Sequence, residues 1–188
     1  MDAIHLTHVQ LAKVEPGSLV LIGPTGADAE QYFAMAVHRA GEPSLTRLVC
    51  FRADRGALRA VRVELSASEA PERFVLSLGR RFTIEPNLFE QVRTDIREGS
   101  ALKAGDLLVL DAQQLLVVAP AAKDTQPLVV DLAGGEITEL SDASIAVVTH
   151  WNICARDADG QQICLVDTKS HKQATAPSTS GLRRQAQG

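Results

Sequence analysis

Short apolar runs rich in Leu, Val and Ile recur along the second half of the chain, and this pattern constrains the fold more than any other feature. Turn-forming residues separate the runs at intervals of about 8–12 residues, which is typical of antiparallel strands joined by short loops. We therefore predict a β-rich antiparallel meander over residues 107–167. The predicted strands are residues 107–110, 115–119, 128–132, 136–140, 145–154 and 162–167.

The first third of the chain shows a different pattern, in which strand-like and helix-like periodicity alternate. Residues 18–22 are a short apolar run that predicts a buried strand, and residues 45–51 are predicted to form a second strand. Between them, Asp28 can cap a helix that continues to about Ala40, because apolar residues recur at the spacing of one helical face. These apolar residues are Tyr32, Phe33, Ala36, Val37 and Ala40. A helical crossover makes two strands of one sheet parallel, so the pattern predicts an N-terminal strand–helix–strand unit.

Together the two patterns predict a single mixed α/β (α+β) domain over residues 1–168, with an α/β front over about 1–105 and a β-rich back over about 106–168. A second helix is predicted over residues 86–98, with a proline in its first turn and Gly99 just beyond its end. Residues 169–188 are polar and carry four basic and no acidic side chains. Such a segment buries too little apolar surface to offset its ordering entropy, so a disordered basic tail is expected.

The charge of the chain is unevenly distributed, and this bears on its partners. The net charge is −4 at pH 7, so the basic tail leaves a net charge of −8 on residues 1–168. An acidic surface repels phosphate backbones. We therefore expect the folded body of the protein not to bind nucleic acid.

Hydropathy and cysteine usage indicate the compartment. No apolar run approaches the roughly 20 residues that cross a bilayer, and no basic and apolar signal segment is evident at the N-terminus. Three cysteines, an odd number, do not make the disulfide framework of a small secreted protein. We expect a cytoplasmic protein that does not contact a membrane.

A glycine-containing turn follows the first predicted strand, at the point where the predicted helix begins. The turn reads Gly23-Pro24-Thr25-Gly26, and backbone N–H groups at a helix N-terminus can bind a phosphate. The surrounding residues 20–41 resemble the phosphate loop and following helix of AAA+ transcriptional activators. Residues 107–111, which end in an aspartate, resemble the acidic strand that positions a metal ion in such enzymes.

The resemblance implies a degenerate nucleotide- or phosphate-binding loop. The glycine–lysine pair that contacts the β- and γ-phosphates is absent, and Asp28 would repel a phosphate. The glycine pattern of extended dehydrogenase-like dinucleotide folds also lacks its third glycine, at Ala29. A residual phosphate site would consist of Gly23, Thr25 and Gly26. The alternative is a structural turn in which Asp28 caps the helix.

A hairpin at the end of the predicted meander brings two cysteines together. Residues 157–161 read Asp-Ala-Asp-Gly-Gln, which predicts a three-residue loop whose last residue is a left-handed glycine. The resulting register places Cys154 opposite Cys164 and His150 opposite Thr168, with both thiols on the more polar face. Three interpretations stay open: a strained, reducible cross-strand disulfide, a zinc site completed by His150, or two reduced thiols packed in the sheet.

The candidate residues form no complete catalytic set. The chain has no nucleophile elbow, HExxH pattern or EF-hand loop. We therefore expect a non-catalytic interaction, scaffolding or regulatory domain that needs no cofactor and that binds a protein partner or associates with itself. The alternatives are the degenerate nucleotide- or phosphate-binding domain and a thiol-based, redox-responsive protein.

Overall fold

The computed structural model describes residues 6–23, 31–39, 42–54, 57–65, 74–87, 92–93, 102–110, 113–119, 126–140, 146–157 and 159–168. Most of these residues lie in strands and none of them lies in an α-helix, so the fold is β-rich. A 3₁₀-helix, Leu11–Lys13, follows the first strand. The strands are β1 (Thr7–Gln10), β2 (Leu19–Ile22), β3 (Tyr32–Arg39), β4 (Glu42–Asp54), β5 (Ala57–Leu65), β6 (Phe74–Gly79), β7 (Phe82–Pro86), β8 (Val92–Arg93), β9 (Leu107–Leu110), β10 (Gln113–Ala119), β11 (Leu128–Asp131), β12 (Glu136–Glu139), β13 (Ala146–Val148), β14 (Trp151–Arg156) and β15 (Gln162–Asp167).

Twelve of the strands form one large sheet, and β3 is the point at which the sheet branches. The main order is β1-β6-β2-β3-β12-β11-β10-β9-β13-β8, while β4 pairs with β3 and β5 pairs with β4. Because β4 occupies one edge of β3, β2 and β12 share the other: β2 pairs with residues 32–35, and β12 pairs in parallel with His38 and Arg39. The β3–β12 pairing joins the two halves of the chain. The remaining strands form a small sheet in the order β15-β14-β7.

The predicted mixed α/β fold is wrong, and the main error lies at β3. Tyr32–Arg39, predicted as a helix, is a strand that pairs antiparallel with both β2 and β4. Residues 32–37 are six consecutive apolar side chains, all buried, whereas a surface helix needs polar residues on one side. β2 and β4 therefore run in the same direction, but they are separated by a strand of the same sheet and not connected by a helix.

The second predicted helix, over residues 86–98, is also wrong where the structure describes it. Pro86 ends β7, and residues 92–93 form β8, which pairs with β13. In the second half of the chain, β9 to β12 pair antiparallel in sequence order, as a meander requires. The predicted strand over residues 145–154 is divided between β13 in the large sheet and β14 in the small sheet. The predicted tail, residues 169–188, lies outside the described residues.

Apolar side chains from both sheets form a shared core. The small sheet covers one face of the large sheet, and the side chains buried between them include Leu19, Phe33, Val49, Ile84, Leu107, Leu116, Val130, Trp151, Ile153 and Leu165. Alternate residues of the large sheet point to its other face. There the 3₁₀-helix covers one cluster, which includes Leu11, Val20, Ala34 and Cys50. A second cluster on that face includes Leu102, Leu108, Val117, Val129 and Val147.

Trp151 links the two sheets at the centre of the shared core. Its side chain is 1% exposed and its indole N–H donates to the carbonyl of Gly105 at 2.8 Å. Its ring meets that of Phe51 edge to face, with centroids 5.9 Å apart and planes at 74°. Burying the large ring without leaving its N–H unpaired is what makes an interior position favourable for tryptophan.

Two glycine turns meet where the halves of the chain join. Gly17 donates its N–H to the carbonyl of Ala36 at 2.7 Å, and His38 donates its N–H to the carbonyl of Gly135 at 2.9 Å. Gly135 has φ +70°, and a Cβ there would overlap the backbone nitrogen of Gly17 and lie 2.8 Å from its Cα. Only a residue without a side chain allows the two backbones to approach so closely.

Candidate functional site

The outer edge of β1 is the first candidate for a binding surface. β1 is the terminal strand of the large sheet, and among the described strands only β6 pairs with it. Its residues read Thr-His-Val-Gln and its pairing with β6 shows no register shift. The edge therefore lacks the charged side chains, prolines and bulges with which proteins discourage strand addition. Among the described residues, no strand pairs with the outward N–H and C=O groups of β1, which an incoming strand could therefore bind.

An apolar surface lies beside this edge. Phe74 and Leu76 of β6 are 52% and 36% exposed, and they are the exposed large apolar side chains of the described chain. His8 lies opposite Leu76, and its ring stacks on that of Phe74 with centroids 4.7 Å apart and planes 2° from parallel. We call His8, Phe74 and Leu76 the β1–β6 patch. Leu78 shares their face of β6 but is buried in the shared core, so the patch continues that core to the sheet edge.

The β1–β6 patch was not predicted from the sequence. Side chains alternate between the two faces of β6, so Phe74, Leu76 and Leu78 share one apolar face. Whether the apolar face is covered depends on the strand order and on the reach of the small sheet. Neither the strand order nor the extent of the small sheet can be predicted from the local sequence.

The hairpin of β14 and β15 brings Cys154 and Cys164 together as predicted. Asp157 Oδ1 accepts the N–H groups of Asp159 and Gln161, which fixes the turn, and Gly160 has φ +77°. The N–H of Asp157 donates to the carbonyl of Gln161 at 2.9 Å, so this is a hydrogen-bonded pair. Because hydrogen-bonded and non-hydrogen-bonded pairs alternate along antiparallel strands, Cys154 and Cys164 form a non-hydrogen-bonded pair.

His150 does not join the two thiols. The register of the hairpin shifts between Ile153 and Cys154, so the predicted pairing of His150 with Thr168 is wrong: Trp151 donates its N–H to the Thr168 hydroxyl at 2.8 Å instead. Along an extended strand, His150 is about 13 Å from Cys154. In the described part of the chain, no three His, Cys, Asp or Glu side chains are grouped closely enough to hold a metal ion. The geometry thus brings Cys154 and Cys164 together but leaves His150 apart from them.

The two thiols have different surroundings. Cys154 is buried, and its Sγ is 3.8 Å from Oε2 of Glu85 on β7, which also accepts from Gln162 Nε2 at 2.7 Å. Cys164 is exposed, and its S–H donates to the carbonyl of Val166 at 3.4 Å. Burial raises the pKa of the Cys154 thiol, and partial burial of the sulfur together with the charges of Cys154 and Asp167 raises the pKa of Cys164 to about 11. Both thiols are therefore protonated at neutral pH.

The predicted phosphate loop lacks the helix on which the prediction depended. Gly23 follows β2 and is exposed, whereas Thr25 and Gly26 lie outside the described residues. The next described element is β3, a strand, so the helix on which the prediction relied is wrong. Phosphate binding by Gly23, Thr25 and Gly26 stays an untested prediction without the helix N-terminus that would favour it.

A cleft of about 490 Å³ lies near the junction of the two glycine turns. Arg80 and Asp131 are its charged side chains. Arg80 donates to the carbonyl of Pro16 at 2.7 Å, and the Asp131 carboxylate accepts the N–H groups of Ala133 and Gly134 at 3.2 and 3.3 Å. Both groups thus serve the local turns, and aspartate is a favoured turn residue.

Comparison of the chain with models of known protein families, with curated proteins and with solved structures finds no match. No helix in the described ranges is both long enough and apolar enough to cross a bilayer.

Proposed function

We propose that this protein is a non-catalytic interaction domain that binds an extended segment of a partner protein along the outer edge of β1. The observation that carries the proposal is the outer edge of β1, which no described strand covers, directly beside the exposed β1–β6 patch. In strand addition, main-chain hydrogen bonds supply much of the affinity, while alternate side chains supply specificity. The proposal places the protein in the cytoplasm, where its three thiols would stay reduced.

The partner segment should alternate apolar and polar residues. An added strand lies about 4.8 Å from β1, and its side chains on the patch side would contact His8 and the Phe74 ring stacked on it. Because the chain has a net charge of −4, basic residues flanking the segment would raise the association rate. The proposed ligand is therefore an extended peptide with alternating apolar residues and basic flanks.

A second copy of the chain fits this edge less well. Pairing β1 with β1 would join two strands of four residues, far short of the roughly 1,200–2,000 Å² that stable interfaces bury. On the patch side, β1 itself offers only His8 and Gln10, which add little apolar surface. We therefore assign the edge to a partner protein and expect the protein alone to be monomeric in light scattering.

Selection from a random 12-residue peptide library displayed on phage tests the proposal. Enriched peptides should alternate apolar and polar residues and bind with micromolar affinity, and Phe74→Ser should weaken that binding at least about tenfold, since burying a large apolar side chain contributes about 1.5–3 kcal/mol. The matched control is Thr138→Ser, an exposed residue of β12 in the same sheet, which should bind like the wild type.

Two results would contradict the proposal. Equal binding by wild type and Phe74→Ser would show that the selected peptides bind elsewhere. A dimer in light scattering that Phe74→Ser dissociates would show that a second copy of the chain, and not a partner segment, occupies the edge.

A further inference from the structure

We infer that Cys154 and Cys164 are a modification site at which exchange with a small-molecule disulfide, such as oxidised glutathione, forms a reversible cross-strand disulfide. The two residues lie directly opposite each other, and the register is regular from this pair to the turn. In a non-hydrogen-bonded pair the Cα atoms are about 4.5 Å apart, within the range of about 4.4–6.8 Å that disulfides span. Cys164 is exposed, and exposed disulfides are more easily reduced than buried ones, so the bond would be reversible.

The different exposures of the two thiols give the reaction an order. Cys164 is exposed and can meet a small disulfide, whereas Cys154 is 3% exposed and can react only with a sulfur already held beside it. The third thiol, Cys50, is 0% exposed and belongs to a different apolar cluster. The structure therefore selects one pair among the three cysteines.

The two thiol–disulfide exchange steps need no reactant other than oxidised glutathione. The Cys164 thiolate attacks one sulfur of oxidised glutathione, the S–S bond of the reagent breaks, and one glutathione thiolate leaves and takes up a proton. The Cys154 thiolate then attacks Sγ of Cys164, the mixed disulfide breaks, and the second glutathione leaves in the same way. Two protein thiols are oxidised, and one disulfide is reduced to two thiols.

The bond would alter the small sheet locally. Cys154 would no longer offer its S–H to Glu85, which would keep the hydrogen bond from Gln162. β15 is the terminal strand of the small sheet, and the disulfide would tie it covalently to β14. Reagents and conditions that oxidise the pair should therefore slow amide exchange in β15.

The rate at which Cys164 reacts with oxidised glutathione should depend steeply on pH, because only the thiolate attacks the disulfide. Since the pKa of Cys164 is raised to about 11, its thiolate fraction at pH 7 is about one in ten thousand. The rate of the first step should rise about tenfold per pH unit between pH 7 and pH 10. An ordinary exposed thiol would instead level off near pH 9.

Thiol counting tests the inference. The reduced protein is incubated with oxidised glutathione at pH 8.5 and at higher pH, then unfolded, titrated with Ellman's reagent and mapped by peptide mass spectrometry. We expect the three thiols to fall to one, with a bond between Cys154 and Cys164, and full recovery on addition of excess reduced glutathione. Cys154→Ser should instead stop at the glutathione adduct of Cys164, and Cys50→Ser should still form the bond.

Three results would overturn the inference, and none depends on a variant folding. Three free thiols in the wild type after prolonged incubation would show that the pair does not close. A bond that includes Cys50, or a covalent dimer through Cys164, would show that the pairing in the hairpin does not direct the reaction. Peptide binding at β1 involves none of these residues, so its outcome is independent.

Discussion

Replacing Gly135 by alanine should lower the free energy of unfolding by at least about 3 kcal/mol, one of the two largest effects that we expect of any substitution in the described chain. The new Cβ would lie in the left-handed region, at φ +70°, and would overlap the backbone of Gly17. Backbone atoms cannot move aside as a flexible side chain can. The two turns would separate, and the adjoining β3–β12 pairing would weaken. Urea unfolding followed by the fluorescence of Trp151 measures the loss.

Gly160→Ala is the matched control for this prediction. Gly160 also has a positive φ, +77°, but no described atom beyond its chain neighbours lies within 4 Å of its would-be Cβ. Its replacement should therefore cost only the left-handed conformation, about 1–2 kcal/mol. Equal losses in the two variants would contradict the close approach of the two turns.

Trp151→Ala should lower the free energy of unfolding by about 3–5 kcal/mol. The substitution removes the largest buried side chain between the two sheets, its edge-to-face contact with Phe51 and the hydrogen bond to Gly105. Because Trp151 is the one tryptophan of the chain, unfolding of this variant is followed by circular dichroism. In the wild type, its fluorescence should be blue-shifted and resistant to iodide, as expected of a side chain that is 1% exposed.

Trp151→Phe separates the contribution of the buried aromatic ring from that of the indole hydrogen bond. It keeps an aromatic ring beside Phe51 but has no N–H for the Gly105 carbonyl, so we expect an intermediate loss of about 1–2 kcal/mol. A loss below about 1 kcal/mol for Trp151→Ala, closer to an ordinary surface substitution than to a buried one, would show that the two sheets do not share a core at this residue.

Local turn chemistry made the β14–β15 hairpin predictable. Asp157 and Gly160 fix the loop, and the loop fixes the pairing of Cys154 with Cys164. The register shift at Ile153 was not predictable, because Leu165 and Val166 are both buried there and alternation alone assigns them to opposite faces. The thiol pair could thus be located from the sequence, but the position of His150 relative to it could not.

The large sheet was predictable only where short loops connect its strands. β9 to β12 follow one another in the sheet, so spacing and turn residues identify them. β3 is buried on both faces, and an unbroken apolar run has no period that separates a strand from a helix. Its pairing with β12 joins His38 to Glu136 across nearly one hundred residues, for which single-sequence patterns carry no signal. The open edge of β1 depends on that same strand order.

Amide hydrogen exchange along β1 tests the proposed strand binding most directly. In the free protein, the N–H groups of residues 7–10 that point away from β6 should exchange rapidly, since no described strand pairs with that edge. A saturating amount of a peptide selected on the wild type should slow their exchange at least about tenfold, because each would then donate to the added strand. Unchanged exchange in β1 with the peptide fully bound, or protection confined to other strands, would contradict the account.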